Sequence, residues 1–177
     1  LRDAARAAID RGIPVGSGGS RLLRGNHPEH EALEAEAADF FGSETALFLP
    51  TGYAANSALL ATLPQTGDLI GHDERVHASS HEGMRLTRAT SRSFPHNDAA
   101  AADAAIAAWR RTGGTGTPWI AVESLYSMDG DRAPLDDLAA VAARHDAMLV
   151  VDEAHATGVF GTDGGGLAAA LGGAHNL

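Results

Sequence analysis

Apolar residues along this chain recur with two different spacings. Between Pro28 and Phe41, Ala32, Leu33, Ala37, Phe40 and Phe41 return every three or four residues, the period of one helix face, and Gly42 follows as a stop. The same reading predicts helices over Leu1 to Arg11, Tyr53 to about Leu63, Ala78 to Thr90, and Leu135 to His145. A sixth, alanine-rich helix is capped by Asn97-Asp98 and runs to about Arg111. Between these segments stand short continuous apolar runs: Ala46 to Leu49, Leu69-Ile70, a small strand beginning at Phe94, Pro118 to Glu123, and Ala147 to Asp152, the most apolar. Gly16-Ser17-Gly18-Gly19-Ser20 reads as a flexible turn and Gly113-Gly114-Thr115-Gly116 as a loose surface loop.

Strands that alternate with helices imply an α/β fold, a largely parallel sheet with helices on both faces. No internal repeat or domain boundary is visible. In such sheets ligands gather beyond the carboxyl ends of the strands. That rule gathers Thr51-Gly52-Tyr53, Glu123 to Ser127 and Asp152 to His155 on one rim.

Composition narrows the classes of partner. With 177 residues, 44% of them hydrophobic, the chain is long enough to bury a core. A formal charge of −10 argues against a nucleic-acid partner, since such affinity comes from clustered cations. Arg85, Arg88 and Arg92 read as one solvated helix face. There are no cysteines, which fits a reducing cytoplasm, and no apolar run approaches the roughly 18 residues of a membrane span. The first residue is Leu, and the chain stops at His175-Asn176-Leu177, where a new strand begins by pattern. Both points suggest a segment of a longer chain.

The candidate chemistry centres on Met148 to Gly158, which delivers Asp152 and His155 at the end of the most apolar strand. A carboxylate there is partly buried and needs a cationic or hydrogen-bonding partner. Taken singly, Asp152 reads better as a turn cap and His155 as a packed histidine. Asp-Glu-Ala-His is also the magnesium-holding element of DEAH-type helicases, but that reading needs a Gly-Lys-Ser/Thr phosphate loop, and the chain has no lysine. A metal site finds little support. The nine histidines are scattered, and His77 and His81 share helical spacing without the acid of a His-Glu-x-x-His motif.

Taken in order, Gly16-Ser-Gly-Gly-Ser-Arg21, His30-Glu-Ala-Leu-Glu34, Thr51-Gly-Tyr-Ala-Ala-Asn56, His77-Ala-Ser79, His96-Asn-Asp98, Ser127-Met-Asp-Gly-Asp131, Pro134-Leu135 and Asp152-Glu-Ala-His-Ala-Thr-Gly158 resemble the α-oxoamine synthases. Each fragment is weak alone; eight in the family's order are specific. The resemblance implies the large domain of the aspartate-aminotransferase fold, a pyridoxal 5'-phosphate cofactor, a homodimer, and condensation of an amino acid with an acyl-CoA. The opening motif and His-Ala-Thr-Gly look most like the alanine-using, pimeloyl-CoA branch on the route to biotin. Glycine- or serine-using members and a noncatalytic ligand-binding remnant are the alternatives.

Residue by residue, the resemblance implies that Asp152 pairs with the pyridine nitrogen, that His77 stacks on one ring face with Ala154 on the other, and that His155 meets the phenolic oxygen. It gives Gly52 and Tyr53 to the phosphate, and Glu123 and Ser127 to the same pocket. Asn56 and His30 match family positions but read as well as cap or packing residues. Asp129-Gly130-Asp131 reads as a tight turn. Two departures stand out: Val76 where relatives commonly carry Ser, and the absent lysine, which the family places beyond Leu177. On this reading the 177 residues are part of a large domain.

Overall fold

The computed structural model describes residues 1–171; the strand expected near His175 lies outside them. The chain folds as two units, one of Leu1–Asp39 with Glu44–Phe48, the other of Phe40–Ser43 with the chain from Leu49 onward.

In the first unit, helix α1 spans Arg2–Asp10 and α2 spans Pro28–Phe41, its last two residues belonging to the second unit. The α2 helix has the predicted bounds and ends at Gly42, whose φ of +64° suits glycine. Neither helix buries a residue, so the apolar face of α2 is not core-facing among the described residues. A π-helical turn over Arg21–Gly25 was not foreseen. A Cβ at Gly25 would collide with the Gly19 carbonyl oxygen, so only glycine fits. The Gly16–Ser20 turn is pinned: Ser17 Oγ donates to the Gly19 carbonyl at 2.6 Å and Arg24 Nε to the Gly18 carbonyl at 2.9 Å.

The expected strand over Ala46 to Leu49 does not form. At Phe48 side chains take both backbone groups that a ladder would need. Its N–H donates to Glu34 Oε1 at 2.8 Å, and its carbonyl accepts from Arg21 Nη1 at 3.0 Å. Arg21 and Glu34 also form a two-point ion pair at 2.6 and 3.0 Å. The Arg21 guanidinium, with help from the Phe48 amide, holds the Glu34 carboxyl down at about 2.

The second unit is the α/β body. Four parallel strands, β1 (Leu69–Asp73), β2 (Thr90–Phe94), β3 (Pro118–Glu123) and β4 (Met148–Asp152), lie in the order β2-β1-β3-β4. Helices α3 (Gly52–Thr62), α4 (Ala78–Leu86), α5 (Ala99–Arg111) and α6 (Leu135–His145) flank them. Alternate strand residues serve opposite faces, as the pleat requires. Leu69, Ile120, Val122 and Leu149 pack with Ile106, Trp109, Leu138 and Val141 of α5 and α6, while Ile70, Trp119 and Ala121 pack with Leu60 and Met84 of α3 and α4. The sheet is therefore covered on both sides, as the continuous apolar runs predict.

Two boundaries differ from expectation. Phe94 ends β2 rather than beginning it, and α4 stops at Leu86. Consequently Arg85, Arg88 and Arg92 do not share a helix face, although all three are exposed. The 113–116 loop is tied down, since Arg110 Nη1 donates to the carbonyls of Gly114 and Gly116 at 3.2 and 2.8 Å. No helix among the described residues is long and apolar enough to cross a membrane.

Candidate functional site

Strand order reverses at β1: the chain steps to β2 on one side, then returns to β3 on the other. Open α/β sheets leave a crevice beyond such a point. The carboxyl ends of β3 and β4 carry Glu123 and Asp152, directly opposite each other in register.

Asp152 is half-buried, and both its oxygens are engaged. Oδ1 accepts the Ala154 N–H at 2.9 Å, the turn-cap role read for it, and Oδ2 accepts Asn56 Nδ2 at 2.6 Å. The partner demanded by burial is thus an amide from α3. Sequence reasoning had Asn56 in the motif but not at the site, because a contact across 96 positions leaves no local signal. Asn56 Nδ2 also donates to Ser79 Oγ at 3.0 Å, and Ser79 Oγ lies 2.8 Å from His77 Nδ1. His77 caps α4, its Nδ1 accepting the Ser79 N–H at 3.2 Å, and the Tyr53 ring stands edge-on to it at 6.1 Å.

Glu123 is 2% exposed. Its Oε2 accepts the Ser127 N–H at 3.0 Å, whereas Oε1 is buried without a partner among the described residues. Burial pushes the Glu123 carboxyl above the usual carboxylate range; the Ser127 amide opposes this, the Asp152 charge adds to it, and His77 and His155 pull the other way. Those couplings place Glu123, Asp152, His77 and His155 in one electrostatic neighbourhood. Ala154 and His155 are exposed on the turn after β4. Glu153 faces away, accepting the Leu167 and Ala168 amides.

Helix α3 contributes its start. Thr51 caps it by accepting the Ala54 N–H at 3.0 Å, and the first turn contains no acid. The amides of Gly52 and Tyr53 are left over by helix geometry, and both residues are exposed. An anion is favoured there by the leftover donors and the positive helix end.

A second polar cluster lies at the ends of β1 and β2. His96 bridges two acids, with Nδ1 2.9 Å from Asp73 Oδ1 and Nε2 2.7 Å from Asp131 Oδ2. Asp73 also accepts the N–H groups of Arg75 and Asn97, and Gly130, at φ +71°, makes the predicted tight turn. No set of three or more metal-ligating side chains converges among the described residues. A groove of about 370 Å³ lined by Pro14, Gly16, Ser17, Arg24 and His30 lies in the first unit and holds none of the predicted site residues.

Residues 1–176 match the aminotransferase class I and II family, and the chain belongs to that family. Its likenesses fall among the α-oxoamine synthases. The 8-amino-7-oxononanoate synthase of Mycolicibacterium smegmatis is 49% identical over 86% of this chain and 39% of the relative. That of Acidithiobacillus ferrooxidans is 42% identical over 96% of this chain and 42% of its own length. Serine palmitoyltransferase from S. paucimobilis, solved with a bound PLP-myriocin aldimine, superimposes with a TM-score of 0.87 at 35% identity, covering 96% of this chain and 42% of that one. The chain spans about two fifths of the length of these relatives.

Proposed function

We propose that this chain carries the cofactor face of a pyridoxal-phosphate-dependent C-acyltransferase. The enzyme condenses L-alanine with a pimeloyl-type acyl-CoA, releasing CO2 and CoA, in the formation of biotin. The synthases that match most of the chain support that choice of substrates. In this reading the enzyme is a cytoplasmic homodimer, and the exposed Leu22, Leu23 and Leu47 are the kind of surface a second subunit covers. The residues described form part of its large domain, and the Schiff-base lysine comes from outside these 177 residues, which contain none.

The observation that carries the reading is the half-buried Asp152 carboxylate, placed at a strand end and aimed by two N–H donors. Two further features fit the cofactor: the leftover amides at the start of α3 suit a phosphate, and Glu123 Oε1, without a partner among the described residues, leaves the wall of the crevice with an unused acceptor. Bound there, pyridoxal phosphate supplies an electron sink for bond breaking at the amino acid's α-carbon.

The chain's own residues then do the following. Asp152 accepts the pyridine N–H and holds that proton in place. His77 covers one face of the ring, while the small Ala154 leaves room on the other. His155 donates to the phenolic oxygen. Gly52 and Tyr53 bind the phosphate through backbone N–H groups, and Glu123 and Ser127 wall the pocket.

A second reading, a serine- or glycine-using synthase, is favoured by the serine palmitoyltransferase neighbours. The full-length gene product with pyridoxal phosphate separates the two. L-alanine should shift the cofactor's absorbance band and, with pimeloyl-CoA, release free CoA. A larger response to serine or glycine selects the second reading; no response to any of the three overturns both.

A further inference from the structure

We propose that Asn56 is a positioning residue which, through Ser79, ties Asp152 and His77 into one hydrogen-bonded unit with a fixed direction. This rests on the reading of those two residues as cofactor partners.

The direction follows from what each group is able to donate. A carboxylate only accepts, so the Asn56 atom 2.6 Å from Asp152 Oδ2 is its NH2 group. The second hydrogen of that group goes to Ser79 Oγ at 3.0 Å. Ser79 Oγ, having accepted, turns its own hydrogen to His77 Nδ1 at 2.8 Å. The Ser79 backbone N–H, which only donates, aims at the same nitrogen at 3.2 Å. Two donors on Nδ1 make it an acceptor, and the proton of the neutral imidazole therefore sits on Nε2. Donation therefore runs outward from the Asn56 amide, to the Asp152 carboxylate on one side and through Ser79 to His77 Nδ1 on the other.

Packing holds the relay in place. Ser79 is fully buried, and Ser57 Oγ donates to its carbonyl at 3.1 Å, joining α3 to α4 one residue from Asn56. The helices meet closely at Gly83, where a Cβ would lie 2.8 Å from the Ser57 carbonyl oxygen. Asn56 therefore has little freedom to swing. A tilt of its amide moves the Asp152 oxygen and the donor to His77 together, so the ring-nitrogen partner and the ring-stacking imidazole stay in register.

The test uses the full-length enzyme with 15N-labelled histidine, prepared without cofactor, and assigns the His77 ring nitrogens by their loss in His77→Asn. A protonated Nε2 and an accepting Nδ1 are expected. A proton on Nδ1 overturns the relay; the tautomer itself is read in the unmutated protein, and His77→Asn serves only to assign its signals. Cofactor affinity gives the second arm. Asn56→Ala and Ser79→Ala should each raise the Kd for pyridoxal phosphate about ten-fold, and the double variant by little more than either alone, because both interrupt one chain. Full additivity of the two losses contradicts the relay. If the wild type does not bind pyridoxal phosphate, the functional reading fails, while the nitrogen signals still decide the relay.

Discussion

Asp73 and Asp152 both end parallel strands, two positions apart in the sheet, yet they live in different surroundings. Asp73 is fully buried, and its oxygens are consumed by the Arg75 and Asn97 amides and by His96. Asp152 is half-buried, stands opposite Glu123, whose Oε1 has no partner among the described residues, and borders the exposed Ala154 and His155. A buried carboxylate saturated by its own chain has no electron pair in reach of a ligand and serves the fold. One that is aimed by two donors but left open on one side is prepared for a partner. The contrast separates two acids that hold the same place at the end of a parallel strand.

Breaking the saturated side should cost the most stability. Asp73→Ala leaves the amides of Arg75 and Asn97 and the His96 ring without their acceptor, and should destabilise the protein by about 3–5 kcal/mol, read by denaturant unfolding. Asp152→Asn should do the opposite. Its shape and its place in the sheet are kept, so melting should change little, while turnover falls about 10²–10³-fold through loss of one preorganised charge. If the two phenotypes exchange, the comparison is wrong.

The pH response sharpens the same contrast. Burial works against the charge on His96, but its hydrogen bonds to Asp73 and Asp131 win and raise it above the ordinary histidine value. Burial likewise works against the Asp73 carboxylate, yet the Asn97 amide, His96 and the Arg75 amide bring it below the ordinary range, and His96 does the same for Asp131. A raised histidine stabilises fully below its unfolded value, about 6.5, and loses that contribution as pH rises through the folded value. The lowered acids stabilise above their unfolded values, about 3.9, and lose it as pH falls through the folded ones. The clamp should therefore be strongest between about pH 4.5 and 6 and weaken through neutrality, so that His96→Gln flattens the fall in melting temperature over the alkaline side. The smallest effect is expected at Gly83→Ala, where the added methyl meets the Ser57 carbonyl and Leu60 Cβ at 2.8 and 2.9 Å. Calorimetry should show a loss of about 1–3 kcal/mol.

Much of the body was legible from pattern because local and tertiary demands agree there. Pro118–Glu123 and Leu135–His145 fall on their predicted bounds, the first an apolar run between turns, the second an amphipathic stretch with acids in its first turn and bases in its last. Ala46 to Leu49 looked equally apolar but is no strand, since a ladder depends on neighbours that the run itself does not name, and here Arg21 and Glu34 take the Phe48 backbone groups. A helical period says which face of α2 is apolar without saying what covers it. At the site, motif order collected Tyr53, His77, Ser127, Asp152 and His155 because each belongs to a local signature, and the family resemblance added Glu123. Asn56 and Ser79 had to be seen in space: their importance lies in bonds between helices and to a strand end far along the chain.

The role proposed for Asp152, aimed by Asn56, is to hold a proton on the cofactor's ring nitrogen. The full-length protein loaded with pyridoxal phosphate labelled with 15N in the ring tests it directly. The expected result is the chemical shift of a protonated pyridine nitrogen in the wild type and of an unprotonated one in Asp152→Asn at the same pH. The same shift in both proteins would contradict it.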